Sequence, residues 1–141
     1  MAFLFDTDAI SELLRPHPAT AYVKWIMRVA REEQFTSAVV IGELYKGAYR
    51  SRNRDRHIAN IEQRVLPAVT VLSYDISIAK VFGSIRAHLE DTGMILPDAD
   101  IQIAATAIDH DLELVTGNIR HFNRIPGLQV NLAFANARSR F

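Results

Sequence analysis

The chain has 141 residues, with 16 basic and 16 acidic side chains, five histidines and no cysteine, so its formal charge is zero with neutral histidines. That length supports one hydrophobic core and leaves too little chain for a second, so residues 1–141 read as a single domain, and a composition 49% hydrophobic and 23% charged excludes a disordered tail. Without cysteine there is no disulfide framework, thiolate metal site or cysteine nucleophile, and without an apolar run near the roughly 20 residues of a membrane span, a soluble, cytoplasmic protein with no membrane contact is expected.

The first predicted element is a strand, because Ala2-Phe3-Leu4-Phe5 is apolar and stops at Asp6, where a polar loop or a helix begins. Ala21, Val23, Trp25, Ile26, Val29 and Ala30 then predict a helix from Pro18 to Arg31, with Trp25 assigned to the core. Phe35-Thr36 reads as a second strand, after which Ser37 caps a helix through Tyr49 with Val40, Glu43, Leu44 and Gly47 on one face. A helix from Arg56 to Leu66 ends at Pro67, and Val69 to Leu72 form a third strand. Asp75 caps a helix to about Thr92, with Ile78, Ala79, Phe82, Ile85 and Leu89 inward and Gly93 as terminator. Pro97-Asp98 open another helix with the core stripe Ile101, Ala104, Ala105 and Ile108, and strands follow at Leu112 to Thr116 and Gly127 to Val130. Short strands alternating with longer helices predict an α/β fold, a parallel sheet with helices on both faces.

Zero net charge argues at first against a nucleic-acid partner, yet the charges are segregated. Lys46, Arg50, Arg52, Arg54 and Arg56 are opposed locally only by Asp55, whereas Asp98, Asp100, Asp109, Asp111 and Glu113 occupy a stretch without Lys or Arg. Guanidinium forks match phosphate oxygens; a solvated helix end and loop is the plain alternative.

Three acids stand in apolar settings. Asp6 follows the first strand, at the edge where open α/β sheets bind ligands. Glu43 lies on an apolar helix face, and Asp100 sits in a first helical turn in register with Ala104 and Ile108. Carboxylates gathered in one cleft repel each other unless a cation compensates, and an all-oxygen set suits Mg²⁺ or Mn²⁺. Such an ion activates water and stabilises the charge on a scissile phosphate, so the pattern points to phosphoryl chemistry. Thr7, Ser11 and the turn Thr116-Gly117-Asn118 accompany the acids, and Asn118 offers hydrogen bonds without charge. A purely structural reading makes Asp6 and Asp100 helix caps and Glu43 a solvent-facing residue.

FLFDTDAISELLRP, SAVVIGELYKGA and LPDADIQIAATAIDHDLELVTGNIRHFNRIPGLQV together resemble the PIN-domain ribonucleases, specifically the VapC-like toxins of bacterial toxin–antitoxin pairs and their FitB-like branch. The resemblance implies a three-layer α/β/α fold with a short, mainly parallel central sheet, and an Mg²⁺- or Mn²⁺-dependent endoribonuclease. It places metal-binding acids at Asp6 and Asp100 and a further active-site acid at Glu43 that joins them at the metal, makes Asn118 a fourth catalytic candidate, and leaves Asp98, Thr7 and Thr116 as auxiliary candidates. It also implies homodimers, an RNA substrate, and a small antitoxin that covers the acidic groove, enters it with an arginine and alone contacts operator DNA.

The sequence departs from that family pattern in three places: Asp8 stands where Asn is usual, Gly117 where Arg is common, and neither Asn118 nor His121 supplies the fourth acid of many relatives. Two alternatives follow. One is a haloacid-dehalogenase-like phosphatase with Asp6 as nucleophile, since Asp6-Thr7-Asp8 also resembles that superfamily's opening. The other is a catalytically inert PIN-like binding subunit.

Overall fold

The computed structural model describes residues 1–138; the last three residues of the expected 1–141 domain lie outside them. Five parallel strands form one sheet in the order β3-β2-β1-β4-β5. These are β1 (Phe3–Phe5), β2 (Gln34–Ser37), β3 (Thr70–Leu72), β4 (Glu113–Val115) and β5 (Val130–Asn131). The helices are α1 (Thr7–Leu13), α2 (Thr20–Ile26), α3 (Ala38–Tyr49), α4 (Arg54–Asn60), α5 (Ile76–Asp91), α6 (Asp98–Asp109), α7 (Ile119–Phe122) and α8 (Ala133–Arg138). The α/β architecture expected from the sequence is the one observed. Among the described residues no helix is long and apolar enough to cross a membrane.

β1 is the centre of the sheet because its residues Phe3, Leu4 and Phe5 are apolar and buried on both faces. Leu4 lies opposite Phe35 of β2 and Leu114 of β4. The chain winds outward from β1 to β2 and β3, then crosses back to β4 and β5, so the winding direction reverses beside β1. In such sheets the crevice at the carboxyl ends of the strands flanking that reversal is the natural binding place. α6 is buried on most of its circumference, through Ile101, Ile103, Ala104, Ala105, Thr106 and Ala107, which fixes it against the sheet.

Local capping chemistry sets several boundaries as expected. Ser37 Oγ accepts from Val40 N at 3.2 Å and Asp75 Oδ1 from Ile78 N at 3.0 Å, starting α3 and α5 where predicted. α4 starts two residues before the predicted Arg56 and runs into a wider π turn, Ile61–Val65.

Other expectations need correction. The helix expected from Pro18 to Arg31 stops at Ile26, because the amides of Arg28 and Val29 bond three residues back and tighten the chain into a turn. Its inward face is Tyr22, Trp25 and Ile26, while Ala21 is exposed. The expected core role of Trp25 holds, since its ring meets Phe3 edge-on at 5.0 Å. Ala79 is exposed on α5. The last strand begins at Val130 and not at Gly127, whose φ of +83° turns the chain first.

Tyr22 is fully buried and its hydroxyl donates to the Ala9 carbonyl at 2.8 Å, joining α2 to α1. Removing that hydroxyl in Tyr22→Phe leaves a buried acceptor short of a donor, and is expected to lower unfolding free energy by about 1–2 kcal/mol, measurable by urea denaturation at equilibrium.

Candidate active site

Asp6 stands one residue past β1, at the winding reversal, and is 6% exposed. Its amide donates to the Val115 carbonyl at 3.1 Å, extending the β1–β4 pairing by one bond. Its side chain has two anchors. Oδ1 accepts from Ala9 N at 2.8 Å, capping α1, and Oδ2 accepts from the hydroxyl of Thr116, which follows β4. Asp6 is thus a helix cap, as the structural reading had it, while lying in the crevice that the functional reading required.

Burial dominates the electrostatics of Asp6. Desolvation pushes its pKa up from 3.8 to about 7, against the hydrogen bonds from Thr116 and Ala9, and the charged groups acting on it, Asp8 and Asp100, are both acids that raise it further. A desolvated carboxylate facing further acids, with only hydrogen bonds in its favour, is a position whose charge a cation would stabilise. The donors available are all oxygens, the set that hard divalent ions take.

The other predicted residues fall into two groups. Glu43, half-buried on α3, accepts from Thr7 Oγ1 at 2.5 Å, which brings it beside the residue that follows Asp6. Asp100, on the first turn of α6, lies 3.3 Å from Nδ1 of His121 on α7. Asn118 Nδ2 lies 2.8 Å from the same ring nitrogen, and Asn118 N donates to Thr116 Oγ1 at 3.0 Å. One ring nitrogen cannot accept from Asn118 and donate to Asp100 at once, so the ring's proton decides which neighbour it serves. Asp98 is exposed and pairs with Arg86 on α5, and the charged groups acting on Asp6 are Asp8 and Asp100. Among the described residues, no three His, Cys, Asp or Glu side chains are spaced to hold a metal ion in this conformation.

A cavity of about 480 Å³ opens from Thr7, Ser11 and Glu43 along α3 and α4 to Arg56 and His57. It joins Glu43 to the end of the arginine-rich segment, whose Ser51 to Arg56 line an open surface beyond. Arg54 is braced there by a hydrogen bond to the Tyr49 carbonyl and by the Tyr49 ring, 5.9 Å from its guanidinium carbon.

The PIN domain is matched by residues 3–128. The chain belongs to the PIN-domain family. Within it, this PIN domain is 31% identical over 129 residues to Ribonuclease VapC2 of Haemophilus influenzae, covering 92% of this chain and 96% of that one. It is 33% identical over 124 residues to Toxin FitB of Neisseria gonorrhoeae, covering 84% and 89% respectively. Its fold superposes with a TM-score of 0.86 and 26% identity on a chain of the crystal structure of VapBC2 from Rickettsia felis bound to a promoter DNA fragment, over 93% of this chain and 98% of that one. The resemblance to VapC-like and FitB-like proteins is therefore borne out, and the match sets aside the phosphatase alternative.

Sequence reasoning missed two residues that shape the PIN-domain site. Tyr22 lies beneath α1, in a 22/25/26 spacing that the sequence does contain. Glu12 is buried, accepting from Ala19 N at 2.9 Å and pairing with Arg15 at 3.2 Å; the sequence carries it inside the Ser-Glu pair of the opening motif and as the acid three residues before an arginine.

The raised pKa of Asp6 has a signed consequence for the protein held in chelator. The native state binds the Asp6 proton more tightly than the unfolded chain, so this residue favours folding fully below about pH 4 and loses that contribution as pH rises through about 7. Asp6→Asn, neutral throughout, is expected to be more stable than the parent chain at pH 8 by on the order of 3 kcal/mol, and the difference should close by pH 4 in paired denaturation curves.

Proposed function

We propose that the chain is a divalent-cation-dependent endoribonuclease and the toxin half of a VapBC-type pair. The observation that carries this reading is the buried Asp6, placed at the winding reversal of a PIN fold with acids as its charged neighbours, in a chain similar to Ribonuclease VapC2 over most of both lengths. Asp6 and Asp100 would hold Mg²⁺ or Mn²⁺, with Glu43 completing the acidic set as it turns from Thr7. When bound, the cation supplies the positive charge that activates water and steadies the phosphodiester under attack.

The chain's own residues do the positioning. Thr116 and the α1 amide of Ala9 fix both oxygens of Asp6, so its carboxylate cannot swing out of the crevice. Asn118 and His121 stand beside Asp100 and can donate to phosphate oxygens there. The exposed arginines between Arg50 and Arg56 draw the RNA backbone toward the cavity that ends at Glu43. The same cavity suits the tail of an antitoxin, whose arginine would pair with the carboxylates and compete with the cation. In this reading the protein acts in the cytoplasm as a homodimer, and touches operator DNA only through that antitoxin.

Purified free of antitoxin, the chain is expected to cleave structured RNA only with Mg²⁺ or Mn²⁺ present, while Asp100→Asn and Asp6→Asn lower the rate at least 100-fold, as on the order of 3 kcal/mol of lost transition-state stabilisation requires. Cleavage that persists in excess chelator would sink the metal-dependent reading. A second readout is thermal: Mg²⁺ should raise the melting temperature of the parent chain and leave that of Asp6→Asn unmoved. RNA left intact under every condition by a folded chain would favour the inert binding subunit.

A further inference from the structure

The turn after β4 carries Thr116 and Asn118 into the site, and between them stands Gly117. A Cβ placed on Gly117 would lie 2.5 Å from Nη1 of Arg138 and 3.1 Å from Cε2 of Phe134. Both neighbours come from α8, the last described helix. The guanidinium of Arg138 therefore occupies the room that any side chain at position 117 would need.

How it is held there matters. Its carbon sits 5.1 Å from the centre of the Phe134 ring, in a cation–π arrangement. Phe134 is itself buried and packs on Tyr22 at 4.7 Å, and Tyr22 donates to Ala9, whose amide caps onto Asp6. The arginine is thus seated, through three packed residues, on the same support as the central carboxylate. Among the described residues it forms no ion pair and no hydrogen bond, so its N–H groups stay free. It borders a polar cavity of about 240 Å³ that also includes Asp8, Ser11, Glu12 and Arg15; Arg15 is already engaged by Glu12, which leaves Arg138 as the uncommitted cation of that rim. A charged fork resting on an aromatic ring, with unspent donors and packed against the glycine that follows the threonine holding Asp6, is built to receive an anion.

We propose that Arg138 is a substrate-binding residue of this site, contacting a phosphodiester of the RNA strand next to the one being cut, and that Gly117 is required because any side chain there would evict the guanidinium. The proposal rests on the nuclease reading above. An RNA strand fits better than an acidic protein segment, since a strand with its scissile phosphate at Asp6 necessarily carries further phosphates within one nucleotide, whereas a carboxylate would have to be placed there by a separate surface. The Asp8 carboxylate on the same rim opposes the anion, so the contact should depend on the guanidinium and not on the general field.

Steady-state cleavage of a fluorescent oligoribonucleotide by the full chain, repeated over a series of KCl concentrations, tests this with Arg138→Gln, Arg138→Lys, Gly117→Ala and the Gly117→Ala/Arg138→Gln double variant. Arg138→Gln should raise KM about tenfold with kcat nearly unchanged, and reduce the slope of log KM against log salt by about 0.7, the value for one phosphate contact to a single strand. Arg138→Lys should keep the salt slope and recover only part of KM. Gly117→Ala should raise KM in the parent chain but add less than about twofold to Arg138→Gln, because the residue it displaces is already gone. Melting temperatures within a few degrees of the parent separate this from a folding defect. Unchanged KM and salt slope in Arg138→Gln, or independent losses that multiply in the double variant, would overturn the proposal while leaving the nuclease reading intact. Failure of the parent chain to cut RNA would overturn both, and that result is visible before any Arg138 variant is compared.

Discussion

The structure is organised around one carboxylate kept out of water. Asp6 ends the most buried strand, starts the first helix, and continues the pairing of β1 with β4 through its own amide. Each of these roles fixes its position more tightly, and each removes solvent that would have stabilised its charge. Hydrogen bonds from Ala9 and Thr116 compensate only in part, so the carboxyl remains far above the ordinary aspartate range. An amide side chain could cap the helix, or an apolar one fill the space, without burying a charge. Retaining an acid at such a place is the trade between stability and chemistry that active sites show in general.

Everything else about the site follows from where the elements meeting Asp6 begin. Asp100 arrives because α6 starts at the same end of the sheet, and Thr116 arrives because β4 ends there. Glu43 comes from the helix that follows β2, the strand on the other side of β1. The acids are drawn from three separate stretches of chain, which is why the overall charge is uninformative. The positive charge lies elsewhere, on the segment from Lys46 to Arg56 and on the arginines near α8. A neutral protein can in this way present an acidic centre with basic approaches.

The parts of this arrangement legible in the sequence are those governed by neighbours along the chain. Ser37 and Asp75 announce helix starts because an N-cap is a contact over three residues, and Phe3-Leu4-Phe5 announces a buried strand because its period is broken only at Asp6. The candidate acids were legible as positions, and the motif resemblance made them legible as a set. Contacts across the fold were not. Nothing local shows that Asp98 pairs with Arg86, that His121 sits between Asn118 and Asp100, or that Arg138 covers Gly117. The misjudged extent of α2 has a different cause: Val29 and Ala30 continue the apolar rhythm after the hydrogen bonding has already tightened into a turn, so composition outlasts geometry. The shifted last strand is of the same kind, since the apolar Leu128 lies beyond a glycine whose backbone turns the chain first.

The hydrogen bond between Thr116 and Asp6 joins residues 110 positions apart, and that separation bears on the protein's synthesis. A chain emerging from the ribosome presents Asp6 early, but its central strand lacks one of its two neighbours, and its carboxylate one of its two anchors, until β4 has been made. Pairing between strands so distant in sequence is also slow to form, because closing the loop costs chain entropy before any contact repays it. The acidic crevice is therefore assembled only after most of the chain exists, and a nascent or truncated fragment that ends before Thr116 carries the acids without the cleft. For a protein whose proposed substrate is RNA, the topology itself delays competence until Thr116 has been made.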